Sequence, residues 1–233
     1  MAFLPIKKTE MNGEADFVVV TGDAYVDHPS FGHALIARLG ESYGFNVGII
    51  SNPQTDRDYM EFGCPKYAFL LSGGVVDSMV NNYTVAKHRR KTDVYAAGGK
   101  LTRPDRVLTV YANRIRKLYP SSVIFMGGIE ASLRRFAHYD YWKDCVMPTL
   151  LEDAPADLLI YGMGEKPIKE ILSCARQGIP LKKLKDIRGT AYLEPYENLS
   201  KSVKDKLENG KIRTIPSYEE VSSDKRKYAQ AFR

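Results

Sequence analysis

The sequence has few cysteines and no long apolar run, and both absences limit what the chain can be. Its three cysteines, Cys64, Cys145 and Cys174, are odd in number and widely spaced, which argues against a disulfide framework and a local CxxC metal site. We expect free thiols that serve as small apolar side chains. The opening MAFLPIKK is too short for a signal peptide, and no run approaches membrane length. These features predict a cytoplasmic protein with no membrane partner.

The usual glycine-rich phosphate motifs are missing as well. GxGxxG is absent, and GMGEKP at 162–167 carries only its first two glycines. AGGK at 97–100 lacks the GKS/T ending of a P-loop. Ordinary nucleotide hydrolysis is therefore unsupported.

Composition and charge are those of a globular protein. A length of 233 residues suits one large domain, or one domain with a tail. Lys and Arg exceed Asp and Glu by 34 to 28, a formal charge of +6. This mild excess favours phosphate-bearing partners, but solvated surface charge explains it equally well.

Short apolar runs alternate with amphipathic segments along most of the chain. The apolar runs, predicted to be strands, are 17–22, 47–51, 67–73, 123–128 and 156–164. The predicted helices are 32–43, 75–87, 105–120, a helix opening at 130–136, and 166–178. This alternation predicts an α/β domain over residues 1–180, with a doubly wound, mostly parallel sheet covered on both faces.

The pattern changes after Gly178. Residues 181–218 contain two possible short strands joined by a Lys-rich stretch, which predicts a small antiparallel appendage packed on the domain. Residues 219–233 are interpreted as a linker or a truncated helix. Within the main domain, residues 87–106 form a long basic connection, and its length suggests a functional loop.

Four loops follow predicted strands: 22–32, 72–78, 127–135 and 162–167. Ligands of open parallel sheets bind beyond the carboxyl ends of the strands, and glycines there let backbone approach a ligand. Glycines also make tight turns, but four such loops on one edge favour a cleft. The candidates from the last three loops are Ser72, Gly127, Gly128, Gly162, Gly164 and Glu165.

The first loop, GDAYVDHPSFG, supplies the candidates Asp23, Tyr25, Asp27 and His28. Two acids and an imidazole can hold a metal or a corrinoid, perform acid–base chemistry, or stabilise a turn. We predict that Ser30 caps the following helix. We assign Asp27 and His28 a functional role, because a turn does not need both. Asp23, His28, Gly127, Glu130 and 162–165 are expected to line one concave surface, with Tyr25, Phe31 or Trp142 at its rim.

Residues 127–144 are dense in polar and aromatic side chains. On a helix from Glu130, Arg134 and His138 share a face, with Arg135 one position round. Such a face can bind an acidic group of a ligand or a neighbouring domain. The alternative is a buried cluster in which Arg134 or Arg135 pairs with Asp140 or Asp23.

Several long motifs together resemble one family. They are GDAYVDHPSFG, NYT with KHRR, GGK with RPDR, GGIEASLRR with HYDYW, ADLLIYGMGE and IRGT. The chain resembles the N-terminal region of YgiQ-type radical SAM proteins over essentially its whole length. The resemblance implies a flavodoxin-like, cobalamin-binding-domain-like fold. It also implies a longer parent whose barrel carries CxxxCxxC, a 4Fe–4S cluster and S-adenosylmethionine.

This chain contains no CxxxCxxC, so we expect an N-terminal piece without the barrel, with no cofactor, metal or catalysis of its own. Domains that ligate cobalt through histidine use DxHxxG after the first strand. Val26 and Phe31 occupy the Asp and Gly positions relative to His28, which argues against a His-ligated corrinoid. Corrinoid binding without histidine stays open.

Three functional hypotheses result. The leading one is an accessory domain that forms one wall of the substrate or cofactor cleft of a radical SAM enzyme, with the barrel of the same chain as partner. The second is a stand-alone corrinoid- or nucleotide-binding module. The third, RNA contact through KHRRK at 87–91, ranks last because Tyr95 is the notable aromatic neighbour and no stacking platform is evident.

Overall fold

The computed structural model describes residues 3–232, in which strands and helices alternate as the apolar pattern predicts. The strands are β1 Phe17–Thr21, β2 Val47–Ser51, β3 Ala68–Ser72, β4 Ile124–Gly127, β5 His138–Asp140, β6 Cys145–Met147, β7 Leu158–Ile160 and β8 Thr190–Ala191. The α-helices are α1 Gly32–Ser42, α2 Asp56–Tyr59, α3 Ser78–Asn82, α4 Val107–Leu118, α5 Gly128–Leu133, α6 Leu150–Asp153, α7 Glu165–Arg176, α8 Lys201–Glu208, α9 Tyr218–Ser223 and α10 Lys225–Ala231.

Six strands form the main sheet in the order β2-β1-β3-β4-β7-β8. The first five run parallel, and β8 pairs antiparallel with β7. In this flavodoxin-like order the chain reverses its direction of strand addition between β1 and β3, where such sheets open a crevice. The predicted α/β, mostly parallel fold is confirmed.

Helices cover both faces of the sheet, which explains why β1 is buried along its whole length. Val19 packs in one apolar cluster with Ala37 of α1 and Ile168 of α7. Val18 packs on the opposite face with Leu108 of α4. Successive strand residues thus enter opposite cores, and β1 contains no polar side chain before Thr21.

The predicted C-terminal appendage is wrong in its details. Residues 190–191 add an edge strand to the main sheet, and 210–217 form no strand. The Lys-rich stretch is helical at α8, where the Ser200 hydroxyl accepts from the Val203 amide. The separate antiparallel pair is β5–β6, inside the main domain.

Two further segments differ from what the sequence predicts. The helix predicted at 75–87 is shortened to α3, since the chain turns back on itself after Asn82. The tail interpreted as a linker or truncated helix forms α9 and α10. The Tyr218 hydroxyl of α9 donates to the Val146 carbonyl at 3.3 Å, which fastens this tail to β6. The domain boundaries stay a prediction.

One buried arginine holds the loops at the carboxyl edge of the sheet. Arg103 is fully buried. Its guanidinium donates to Asp23 Oδ1 at 2.5 Å, to the Gly73 carbonyl at 2.9 Å and to Asp93 Oδ2 at 3.2 Å. Asp23 follows β1 and Gly73 follows β3, so Arg103 joins both strand ends to the basic 87–106 segment.

Gly74 shows how tightly this network is packed. A Cβ on Gly74 would lie 2.2 Å from Asp23 Oδ1, and its φ of +112° favours glycine. The other carboxylate oxygen of Asp23 accepts from the Val75 amide at 2.7 Å. Burial raises the pKa of Asp23, and the Arg103 charge opposes that shift. A side chain at position 74 would displace the Asp23 carboxylate, so the hydrogen bonds of Asp23 require glycine there.

Replacing Arg103 by Met should destabilise the chain by about 3–5 kcal/mol, because the buried carboxyl groups of Asp23 and Asp93 would lose their cationic partner. Urea unfolding of both proteins measures this loss. Arg114→Met is the matched control, since the Arg114–Asp56 pair is 40% and 48% exposed and should contribute less than about 1 kcal/mol. Equal losses in the two variants would contradict the assigned role of Arg103.

Candidate functional site

A cleft of about 350 Å³ opens at the carboxyl edge of the parallel strands, beside the first turns of α1 and α7. Its walls are apolar and come from four strands and two helices: Val19, Leu70, Phe125, Ile160, Ile36 and Ile168. All four loops singled out in the sequence contribute to it, as the parallel sheet requires. This is the place where open α/β sheets bind ligands.

Six of the predicted site residues come together here. They are Ser72, Gly127, Gly128, Gly162, Gly164 and Glu165. Among the described residues that line the cleft, Glu165 is the one with a side chain charged at neutral pH, and no Lys or Arg takes part. The cleft thus combines apolar walls, glycine backbone and a single carboxylate.

The four predicted glycines that line the cleft are of two kinds. Gly128 and Gly162 have φ of +86° and +69°, so the backbone itself favours glycine. Gly127 and Gly164 have φ of −152° and −76°, which any residue adopts. A Cβ on Gly164 would lie 3.6 Å from Ile36 Cδ1, and one on Gly127 3.7 Å from the Ile160 carbonyl, both ordinary contacts. Neither fold nor packing requires glycine at these two positions, where a side chain would occupy space beside cleft walls.

Asp23 and Glu130 do not line the cleft, contrary to expectation, because both are fully buried. Glu130 accepts from the Ser78 amide at 2.9 Å and the Leu108 amide at 3.2 Å. It thereby stabilises the first turns of α3 and α4, whose amides have no helical partner. Burial raises the pKa of Glu130, and the Arg134 charge opposes this.

The predicted helical face of Arg134 and His138 is also wrong. Helix α5 ends at Leu133, and His138 belongs to β5. Arg134 pairs with Asp77 at 2.8 Å and Glu130 at 3.2 Å. The buried ion-pair alternative is therefore what forms, with partners other than those expected.

The other polar side chains of residues 127–144 contact different partners. Asp140 pairs with Arg106 at 2.6 Å. The Arg135 guanidinium lies 5.1 Å from the ring centre of Phe136 and 5.2 Å from that of Tyr161. None of Arg134, Arg135 and His138 lines the cleft.

The first loop lines the cleft through Pro29, Ser30 and Gly32 but not through its acids. Asp27 forms an ion pair with Arg38 of α1, which lowers the pKa of that carboxyl. His28 Nδ1 accepts from the Ser30 amide at 3.1 Å, and no side chain caps α1, so the predicted Ser30 cap is wrong. The Tyr25 hydroxyl accepts from the Leu4 amide at 3.1 Å.

The rim also differs from the expected one. Phe31 and Trp142, like Tyr25, Asp27 and His28, are not among the lining residues. Met163 is 80% exposed and stands at the cleft with the partly exposed Val75 and Ile129. The apolar exposure predicted at this edge is present but comes from these three side chains.

Sequence reasoning missed His33, which lines the cleft from inside α1. It is 3% exposed, with Nδ1 3.3 Å from Thr21 Oγ1 and no hydrogen-bond partner at Nε2. The Thr21 oxygen already accepts from the Asp23 amide. When its hydroxyl donates to Nδ1, the imidazole proton lies on Nε2 as an unpartnered donor. The signal for it was the 33, 37, 40 spacing of the buried face of α1.

The cysteines do not fit a 4Fe–4S cluster. Cys64 precedes β3, Cys145 belongs to β6 and Cys174 to α7, whereas a cluster needs converging thiolates. Within residues 3–232, no three His, Cys, Asp or Glu side chains are grouped to hold a metal ion. No helix in that range is long and apolar enough to cross a bilayer.

Comparison with known proteins gives one family. The radical SAM N-terminal family profile matches residues 3–233. A UPF0313 protein of Clostridium botulinum (strain Loch Maree / Type A3) is 51% identical over 240 residues, covering 100% of this chain and 36% of the relative. A UPF0313 protein of Clostridium perfringens (strain 13 / Type A) is 47% identical over 238 residues, covering 99% and 35%. The chain thus spans about a third of the length of these relatives.

His33 should make the chain less stable in mild acid. Burial lowers its pKa from 6.5 to about 4, so the unfolded chain binds a proton that the folded chain does not. The stability contributed by neutral His33 is present above pH 6.5 and is lost as the pH falls toward 4. Urea unfolding should show a loss of about 2 kcal/mol between about pH 7 and pH 5 that His33→Gln lacks. His28→Gln should keep the loss, and parallel pH curves for wild type and His33→Gln would contradict this assignment.

Proposed function

This chain belongs to the radical SAM N-terminal family, and from that membership and the cleft we propose that it is the accessory domain of a longer radical SAM enzyme. It supplies one wall of the substrate or cofactor cleft. The chain spans 36% of a UPF0313 relative, so a further domain is available to close the open side. In this proposal that domain is the barrel that holds the 4Fe–4S cluster and S-adenosylmethionine.

The observation that carries the proposal is the pair Gly127 and Gly164. Both line the cleft, and neither needs to be glycine for backbone or packing reasons. The fold would accept a side chain at both positions, and glycine there keeps the cleft open. This open space favours the binding of another molecule. The exposed Met163 at the same rim favours a surface that a partner covers.

The lining also indicates what kind of molecule fits. Apolar walls and one carboxylate, Glu165, favour an uncharged or cationic organic molecule. Phosphate groups are disfavoured, because no Lys or Arg lines the cleft in the described chain. The unpartnered Nε2 of His33 lies beside this space and suits a ligand with a hydrogen-bond acceptor. The alternative of a nucleotide-binding module receives less support for the same reason.

In the proposed function, the radical chemistry and the binding of the ligand are carried out by different parts of the longer enzyme. The cluster and S-adenosylmethionine, when bound in the longer enzyme, supply the radical chemistry, and the cysteines of this chain do not fit that role. The chain's own residues bind the apolar body of the ligand and exclude water from it. Preorganised loops keep this wall in one geometry, which favours positioning in catalysis.

The test uses the full-length parent enzyme, reconstituted anaerobically, with and without Gly164→Val. The assay measures reductive cleavage of S-adenosylmethionine to 5′-deoxyadenosine. It is run with and without the small-molecule fraction of an extract of the organism that makes the enzyme, and the increase in cleavage is the stimulation. The variant should keep basal cleavage and lose stimulation at least about ten-fold, because the added isopropyl group takes up space in the cleft that the ligand would occupy. Lys169→Ala, exposed on the same helix, is the matched control and should behave as wild type.

Full stimulation in Gly164→Val would contradict the assigned wall. No cleavage of S-adenosylmethionine by the reconstituted parent would contradict the radical SAM part of the proposal.

A further inference from the structure

The basic run of the 87–106 segment lies on a folded loop. The Thr84 amide donates to the His88 carbonyl and the Arg90 amide to the Asn82 carbonyl, both at 2.8 Å. Further along the same segment, Asp93 is fully buried against Arg103. We call residues 83–91 the basic loop. Its position is fixed from both ends, so its charges have defined places.

Four cations of the basic loop are exposed together: Lys87, Arg89, Arg90 and Lys91. In the described part of the chain, none of them forms an ion pair with a carboxylate. Lys87 and Arg90 donate to the backbone carbonyls of Trp142 and Tyr83. Like charges within five consecutive residues repel one another, and an anionic partner would relieve that repulsion.

Two aromatic rings from a distant segment, those of Tyr141 and Trp142, lie against the basic loop beside Lys87. The rings of Tyr141 and Trp142 are 5.5 Å apart, and Tyr83 lies 6.4 Å from Trp142. Lys87 Nζ lies 4.8 Å from the ring centre of Tyr141, and the Tyr141 hydroxyl donates to the Val85 carbonyl. Tyr141 is 42% exposed. The sequence pointed only to Tyr95, because these two rings come from the β5–β6 hairpin.

We propose that the basic loop and the adjoining rings bind single-stranded nucleic acid. The four cations contact backbone phosphates, and the exposed ring of Tyr141, supported edge-on by the half-buried Trp142, offers surface on which bases stack. An acidic polypeptide would use the cations but gain little from the aromatic surface. This site is separate from the cleft, since the cleft lining includes no residue of the basic loop or of the hairpin.

The test measures fluorescence anisotropy of labelled twelve-nucleotide oligo(U) and oligo(dT) with the full chain over a salt series. Four phosphate contacts predict a slope of log affinity against log salt of about −3. Removing the four cations (Lys87→Ala, Arg89→Ala, Arg90→Ala and Lys91→Ala) should weaken binding at least about ten-fold and flatten the slope. Tyr141→Leu should weaken binding at least about five-fold with the slope retained.

The matched control removes the same charge elsewhere, at Lys201, Lys204, Lys206 and Lys211 in and after α8. It should change affinity less than about three-fold. Equal losses in the two fourfold variants, or equal competition by polyglutamate, would overturn the proposal, as would no binding at low salt. If the fourfold basic-loop variant fails to fold, Arg89→Ala with Lys91→Ala replaces it, and unchanged binding there would also overturn it. The oligo(U) and oligo(dT) arms distinguish RNA from DNA.

Discussion

The arrangement of the loops at the carboxyl edge of the sheet depends on the hydrogen bonds of the buried Arg103 guanidinium. A charge without access to water must be surrounded by acceptors, and Asp23, Asp93 and the Gly73 carbonyl supply them. These acceptors come from the loops after β1 and β3 and from the basic segment. Once the guanidinium is satisfied, the two loops beside the cleft and the part of the 87–106 segment around Asp93 have fixed places.

The polar residues of this edge divide by what they touch. Asp23 and Glu130 hold loops and helix starts, and Asp27 fastens its loop to α1 through Arg38. The cleft is lined mainly by apolar side chains and glycine backbone, with His33 and Glu165 as its titratable side chains. In the proposed function, a wall of this kind recognises shape and an apolar body, and the reactive groups come from the rest of the longer protein. The proposed function rests on that division.

The sequence was sufficient for the fold class, because FVVVT and the runs that follow are too apolar for any strand exposed to water. It also located the four strand-end loops, since a parallel sheet puts them on one edge. The sequence was insufficient to predict which side chains contact one another. Arg103 lies 80 residues from Asp23, and Tyr141 lies 56 from Val85, so no local pattern shows either contact. His33 was missed because a histidine on a buried helical face resembles any other core position.

We propose that this chain presents one wall of a cleft that the remainder of the longer protein closes. Hydroxyl-radical footprinting of Met163, which is 80% exposed here, tests it most directly. The oxidation rate of Met163 is measured in the full-length parent and in this chain, with Met60, 48% exposed and outside the cleft lining, as the internal reference. If the rest of the protein covers the cleft, the Met163 rate, relative to Met60, is several-fold lower in the full-length protein. Equal relative rates in the two proteins would contradict it.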